Sequence, residues 1–316
     1  MFAPQRGLLT LSDLTREDLE RLAARSRDLY HDLNAHDRPL RDKVVGVLFT
    51  KTSTRTRTAF GAGTVRLGGF PLMYGPGDLQ TATGESLHDT GRVFGSMLDA
   101  LVVRTAGPVD ELREISRAGD LPVINAMAAE EHPTQGICDL ATMLMEFGSL
   151  DGLSLLYLGE GNNTASALAY GLSRMPNCHL TFATPPGYGL DSQILDDAAK
   201  RAAAVGGTVT QIHDLDDLPA EAHVVYTTRW QTTGTVKADP DWREKFRPFH
   251  IDERLMRRWP DARFMHDLPA HRGEEVSGAV LEGPGSIAWA QAKMKLTSAM
   301  AVLERSVADD PGRSRD

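Results

Sequence analysis

The sequence predicts an α/β protein built from two domains, each a parallel sheet wrapped by helices. Three observations predict this. Short apolar runs rich in Val, Leu and Ile alternate with longer amphipathic stretches, the pattern of strand–helix–strand units. The alternation restarts after a glycine-bounded break at 148–152, and 316 residues suffice for two ordinary domains. A last amphipathic stretch at 288–307 stands apart behind the turn Glu282-Gly283-Pro284-Gly285. The boundaries expected are 1–147 for the first domain and 148–287 for the second. Residues 288–316 form a helix returning to the first domain, followed by a polar tail (DDPGRSRD) expected to be disordered.

Taken in order, Thr15-Arg16-Glu17-Asp18 has the form of a capping box, and Leu19, Leu22 and Ala23 give the following helix an apolar face. The run VVGVL at 44–48 is a buried strand, and a helix from 54 to about 67 ends at Gly68-Gly69. ALVVR at 100–104 and residues 121–124 are further strands. From 134 to 147 the pattern is helical, with Leu140, Met143 and Leu144 on one side. In the second half, strands are expected at 153–158, 180–183, 208–212 and 223–227, with a helix over 193–205.

Composition narrows the function. The net charge is −9, so an extended basic face for nucleic acid or membrane is not expected, and any cationic site must be local. Two unpaired cysteines, Cys138 and Cys178, suggest neither a disulfide framework nor a zinc site. No stretch approaches signal or membrane-span length, which makes a cytoplasmic enzyme the expectation.

The local cationic site is at 49–60, FTKTSTRTRTAF, directly after the first buried strand. A strand feeding a helix start presents free backbone N–H groups at the positive end of the helix dipole, a ready anion site. Ser53, Thr54 and Thr56 add hydroxyl donors, and Arg55 adds a planar fork suited to phosphate. The Gly-x-x-x-x-Gly-Lys spacing of a P-loop is absent. Further on, LLYLGEGNNTAS half matches a dinucleotide fingerprint, but Thr164 stands where the third glycine belongs.

Six motifs in order then carry a resemblance. FTKTSTRTR resembles the carbamoyl-phosphate signature F-x-K-x-S-T-R-T-R of the aspartate/ornithine carbamoyltransferase family. Glu85-Ser86-Leu87-His88-Asp89-Thr90 with Arg92-Val93 resembles its E-S-x-x-D-T-x-R-V helix, and DALVVR at 99–104 its strand ending in a phosphate-contacting arginine. His132-Pro133-Thr134-Gln135 is similar to H-P-T-Q, Gly159-Glu160-Gly161-Asn162-Asn163 in part to G-D-G-x-N-N, and His266-Asp267-Leu268-Pro269-Ala270 to H-C-L-P-A. The resemblance implies two Rossmann-like domains, one for carbamoyl phosphate and one for an amino-acid acceptor. It also implies a homotrimer in which a loop at 80–85 completes a neighbour's site, and no metal or organic cofactor.

By this resemblance Ser53, Thr54, Arg55, Thr56 and Arg104 hold the phosphate, with Gln80 reaching in from a neighbour. His132 and Gln135 contact the carbamoyl end, and Lys293 stands where the family carries an arginine on the last helix. Arg57 either joins the cradle or pairs with an acidic residue. Asn162, Asn163, Thr228, Arg229, Gln231, Thr232, Thr233, Asp267 and Leu268 face the acceptor. Arg55, Arg104, His132 and Asp267 are the candidate catalytic residues.

The acceptor side departs from the ornithine branch. Thr228 replaces an aspartate that binds the ornithine α-amino group, Gly84 a loop lysine, and Asp267 the cysteine beside the reacting amine. Thr228-Arg229-x-Gln231 is similar instead to the aspartate branch. Asp267 either meets the amine, as partner or proton acceptor, or turns away to cap a helix or pair with Arg272. The reaction expected is carbamoyl transfer to the side-chain amine of an amino acid, ornithine or a close analogue such as 2,3-diaminopropionate. The alternatives are an aspartate-type acceptor or a catalytically idle, partner-binding subunit.

Overall fold

The computed structural model, which describes residues 7–232 and 235–308, contains two five-stranded parallel sheets. The first is assembled from β1 (Gly7–Leu8), β2 (Val44–Phe49), β3 (Phe70–Tyr74), β4 (Ala100–Arg104) and β5 (Val123–Asn125), in the order β1-β5-β4-β2-β3. Its helices are α1 (Arg16–His31), α2 (Arg55–Arg66), α3 (Leu87–Met97) and α4 (Val109–Gly119). The capping box forms: the Thr15 side chain accepts from the Asp18 N–H at 3.2 Å, and Asp18 accepts from the Thr15 N–H at 3.2 Å.

α5 (Pro133–Phe147) leads out of this sheet and stops at Gly148, whose left-handed backbone turns the chain into the second sheet. That sheet holds β6 (Ser154–Leu158), β7 (His179–Ala183), β8 (Thr208–Ile212), β9 (Val224–Thr227) and β10 (Arg263–His266), in the order β10-β9-β6-β7-β8. α6 (Asn163–Leu172) and α7 (Ser192–Ala204) are its crossovers, with short α8 (Trp242–Phe246), α9 (Glu253–Met256) and α10 (Gly278–Leu281) around β10. The central strands are buried almost end to end and mostly apolar because helices cover both faces, as in β4 and β6.

α11 (Ala288–Leu303) returns to the first sheet and packs on α1, α2 and α5. Met294, Met300 and Leu303 enter one continuous core that runs from Val47 and Val102 beneath the first sheet to Leu155, Tyr157 and Leu180 in the second. Three strands lay outside the sequence expectation, the two-residue β1 among them. β3 is an edge strand with Phe70, Leu72 and Met73 exposed, and β10 lies in a segment read only as a motif. Among the described residues, no helix is long and apolar enough to cross a membrane.

α3 and α4 touch through glycines. A Cβ built on Gly95 would fall 1.9 Å from the Gly119 carbonyl oxygen, so the two backbones meet with no room for a methyl. Gly95→Ala is expected to lower the unfolding free energy by about 1–3 kcal/mol through overpacking. Urea denaturation measures this, and a loss below roughly 0.5 kcal/mol would mean that the helices part freely.

Candidate active site

The carboxyl ends of the two sheets open into one crevice, where ligands of open parallel sheets bind. β2 ends at Phe49 and β4 at Arg104 on one wall; β6 ends at Leu158, β9 at Thr227 and β10 at His266 on the other. Between them lies a cavity of about 180 Å³.

One wall is cationic. Ser53, Thr54, Arg55 and Thr56 line it from the first turn of α2, joined by Arg104, His132 and, from α11, Lys295. The Nε–H groups of Arg55 and Arg104 are buried with no protein partner. Burial and the proximity of Arg55 pull the Arg104 guanidinium down to about 10, with Asp267 opposing. Burial likewise lowers Arg55 and Lys295. Each cation is therefore held at an electrostatic cost that an anion in the cavity would relieve. His132 lies at the start of α5, its Nδ1 3.3 Å from the Thr134 hydroxyl. Burial, then Arg104 and Lys295, hold its ring well below the ordinary histidine range, so at neutral pH it is a neutral imidazole with one N–H to donate.

Behind this wall lies a buried carboxylate. Asp139 accepts from Gln135 Nε2 and Gln291 Nε2, both at 2.7 Å, and from the Tyr226 hydroxyl at 3.1 Å. Gln291 Oε1 in turn accepts from the His266 N–H at 3.0 Å, just before Asp267. One side chain thus ties α5, β9, α11 and the end of β10 together. Burial pushes Asp139 up to about 7 despite the hydrogen bonds from the two glutamines.

The opposite wall carries the polar groups. Asp267 points into the cavity and accepts from the Thr164 hydroxyl at 3.1 Å. Arg272, its other expected partner, pairs instead with Glu282. The turn that presents Asp267 is fixed by His266, whose Nδ1 accepts from the Leu268 N–H at 2.8 Å while Nε2 faces Glu275 at 3.2 Å. His271, Glu274 and Glu275 are the one group of metal-type ligands among the described residues. Glu275 there accepts from the His271 N–H at 2.5 Å and serves the same turn. Thr228 is buried between the Tyr157 hydroxyl and Asn162 Nδ2, each at 3.0 Å. Arg229 makes no ion pair among the described residues; its Nε–H is buried and unpartnered, and it lines the cavity with Gln231 and Thr232.

Several expected residues sit differently. Lys293 is exposed, its ammonium 3.8 Å from the centre of the Tyr30 ring, and Lys295 faces the cavity in its place. Two residues on a helix differ by about 200° around the axis, so a two-residue slip in reading α11 exchanges its faces. Gln80 is in a short 3₁₀ turn and does not line the cavity of its own chain. Gln135 turns inward to Asp139 and lines a small adjoining cavity beside His132. Asn162 uses its side-chain oxygen to cap α6, accepting from Thr164 N and Ala165 N, and Asn163 donates to the Ala128 carbonyl, although both still line the cavity. Arg57 is half-buried, with no ion pair among the described residues and no place in the lining. Thr233 lies outside the described residues. Thr52, Met127, Thr164 and Lys295 were not anticipated. Met127 holds φ at +129°, a strained backbone for a non-glycine residue.

Two parallel sheets meeting at a crevice, with a guanidinium-lined anion cradle on one wall and amide and carboxylate groups on the other, describe a transferase of phosphate-activated groups. Comparison with known proteins makes this specific. Residues 6–145 match the family model for the carbamoyl-P binding domain of aspartate/ornithine carbamoyltransferase, and residues 151–305 match that for the Asp/Orn binding domain. The chain belongs to the aspartate/ornithine carbamoyltransferase family, on its ornithine carbamoyltransferase branch. An ornithine carbamoyltransferase of Symbiobacterium thermophilum is 38% identical over 301 residues, covering 94% of this chain and 96% of that one. One from Thermococcus kodakarensis is 35% identical, covering 94% and 95%. The solved ornithine carbamoyltransferase of Pyrococcus furiosus superposes with a TM-score of 0.91 at 33% identity, covering 97% of this chain and 98% of that one.

The Asp139 network carries a pH signature. A carboxyl raised from 3.8 to about 7 by folding binds its proton more tightly in the native state. Its contribution to stability is therefore present at low pH and lost as pH rises from about 4 to about 7. Asp139→Asn, which cannot ionise, is expected to cost about 1–3 kcal/mol at pH 5 through misfitted hydrogen bonds, with the gap to the parent narrowing by pH 8. Urea unfolding of both proteins at the two pH values reads this directly. A pH-independent gap would show that Asp139 does not titrate in this window.

Proposed function

We propose that the chain transfers the carbamoyl group of carbamoyl phosphate to the side-chain amine of an amino acid, giving a ureido product and phosphate. The observation that carries the reading is the cluster of Arg55, Arg104 and Lys295 around the first turn of α2, a cradle matched to a dianionic leaving group. The neutral amine attacks the carbonyl carbon, negative charge gathers on the carbonyl oxygen, and the N–H of neutral His132 with the Arg55 guanidinium stabilises it. The C–O bond to phosphate then breaks. The phosphate leaves onto Arg104 and the helix N-terminus, and the amine's proton passes to the phosphate or to Asp267.

The acceptor is ornithine or a shorter diamine such as 2,3-diaminopropionate. In the ornithine branch the anionic anchor stands at the position of Thr228, and here that hydroxyl is neutral and already engaged by Tyr157 and Asn162. The carboxylate in the cavity is Asp267, at the end of β10, so an acceptor's second ammonium is drawn there. Arg229, unpaired among the described residues, is placed to take the α-carboxylate. The same guanidinium favours a dicarboxylate acceptor as the second reading.

Residues 1–147 and 148–287 act as the donor and acceptor domains, with the chain from 288 returning to the first. The protein works as a homotrimer with Gln80 serving a neighbour, supported by exposed Phe70, Met73 and Met97 on β3 and α3. Sedimentation velocity tests this, and a monomer would end it.

Phosphate release measured with ornithine, 2,3-diaminopropionate, 2,4-diaminobutyrate and aspartate tests the acceptor. Arg55→Ala and Arg104→Ala are each expected to lower kcat/KM by at least 100-fold while the fold survives, since a charged phosphate contact alone supplies roughly 1.5–3 kcal/mol. Near-parental rates at saturating carbamoyl phosphate would rule out the cradle.

Asp267 decides selectivity in the same assay. Asp267→Cys is expected to shift preference toward ornithine, and Asp267→Asn to lose at least tenfold with the native acceptor. Unchanged acceptor profiles in both variants would assign selectivity to Thr228 and Arg229.

A further inference from the structure

Glu160 sits in the turn between β6 and α6, next to the acceptor wall but outside the cavity lining. The turn itself cannot drift. Gly159 holds φ at +133°, and a Cβ on Gly161 would fall 2.2 Å from the Leu190 nitrogen, so the backbone is pressed against the 188–190 segment. From this fixed point Glu160 reaches both ends of the loop that carries Arg229 and Gln231. Its carbonyl accepts from the Tyr157 hydroxyl at 2.6 Å, and that hydroxyl meets Thr228 Oγ1 at 3.0 Å. Its carboxylate accepts from the Thr232 hydroxyl at 3.0 Å and the Thr232 N–H at 3.3 Å. The other carboxylate oxygen is paired with Lys237.

Lys237 is an unusual partner. Its side chain is only 4% exposed, and its ammonium lies 4.9 Å from the centre of the Tyr188 ring, 5.0 Å from Phe246 and 5.5 Å from Trp242. These rings pack with Trp230, beside Arg229, into a separate apolar cluster. A cation caged by aromatic faces and neutralised by a single carboxylate cannot leave without exposing that cluster or abandoning Glu160.

We propose that Glu160 is a positioning residue for the acceptor, its carboxylate, with caged Lys237 as counter-ion, fixing Thr232 so that the neighbouring Arg229 and Gln231 face the cavity. This rests on the reading of that wall as the acceptor side. Glu160 lies outside the cavity lining and away from Arg55, Arg104 and Lys295, so its effect is expected on acceptor binding and not on the phosphate cradle.

The test is steady-state kinetics on Glu160→Gln, Lys237→Met and the double variant, with circular dichroism and urea unfolding as controls for the fold. Each single variant leaves one buried charge without its partner, whereas the double variant removes both. Expected are a rise of at least tenfold in KM for the amine in either single variant, KM for carbamoyl phosphate within about twofold of the parent, and partial recovery in the double variant. Equal changes in both KM values, or none in the amine KM of a folded Glu160→Gln protein, overturn the proposal while leaving carbamoyl transfer standing. Should both single variants fail to fold, the double variant's amine KM decides, a parental value overturning it. A parent protein that carbamoylates no amine of the panel removes the acceptor reading and this inference with it.

Discussion

Positive charge confined to a crevice is the constraint around which this protein is organised. Arg55, Arg104 and Lys295 converge on one small cavity, all lowered by burial, with Asp267 as the carboxylate among its lining residues. Left to themselves, like charges at this depth would push the walls apart or draw in water. They are held by regular elements: the end of a central strand, in register with Phe49 of β2, the first turn of a helix, and the middle of α11. The scaffold stores a preference for an anion in its own geometry, which is what preorganised electrostatic catalysis requires.

Rigidity across the crevice comes from sharing. The largest core cluster is continuous through both sheets, and α5 is buried along most of its length between them. Asp139 adds a polar joint to that apolar one, gathering donors from Gln135, Gln291 and Tyr226. Gln135, beside His132, and the strand that leads to Thr228 therefore hang from one carboxylate. Displacement of either wall disturbs hydrogen bonds belonging to the other.

Much of the fold and the donor side of the site was legible from residue order. Buried parallel strands such as 44–48 and 100–103 announce themselves as unbroken apolar runs, and Ser53 to Thr56 of the cradle are consecutive, so a short motif contains much of the chemistry and its placement. What escaped was set by tertiary partners. β3, with Pro71 and an exposed face, lacks the composition of a buried strand and exists because it pairs with β2. Lys295 and Lys293 differ only in which side of α11 they occupy, a matter of helical phase. Asn162 and Asn163 line the cavity, but their amides are largely spent on capping α6 and holding the Ala128 carbonyl. Glu160 stood at the acidic position of a partly matched motif, but no role could be read for it, because its partners Thr232 and Lys237 lie more than seventy positions along the chain.

The return of α11 has a consequence for how the molecule is made. The helix that fills the space between α2 and α5 is synthesised after both sheets, long after the first of them. Until Met294, Met300 and Leu303 arrive, the apolar surfaces of α2 and α5 have no cover, and Lys295 is missing from the cavity. The N-terminal half therefore waits in an incomplete state through the translation of the second sheet. A chain interrupted anywhere before residue 294 presents a greasy groove to chaperones and proteases and cannot assemble the anion site. Closure of the core and assembly of the cationic wall thus both wait on α11.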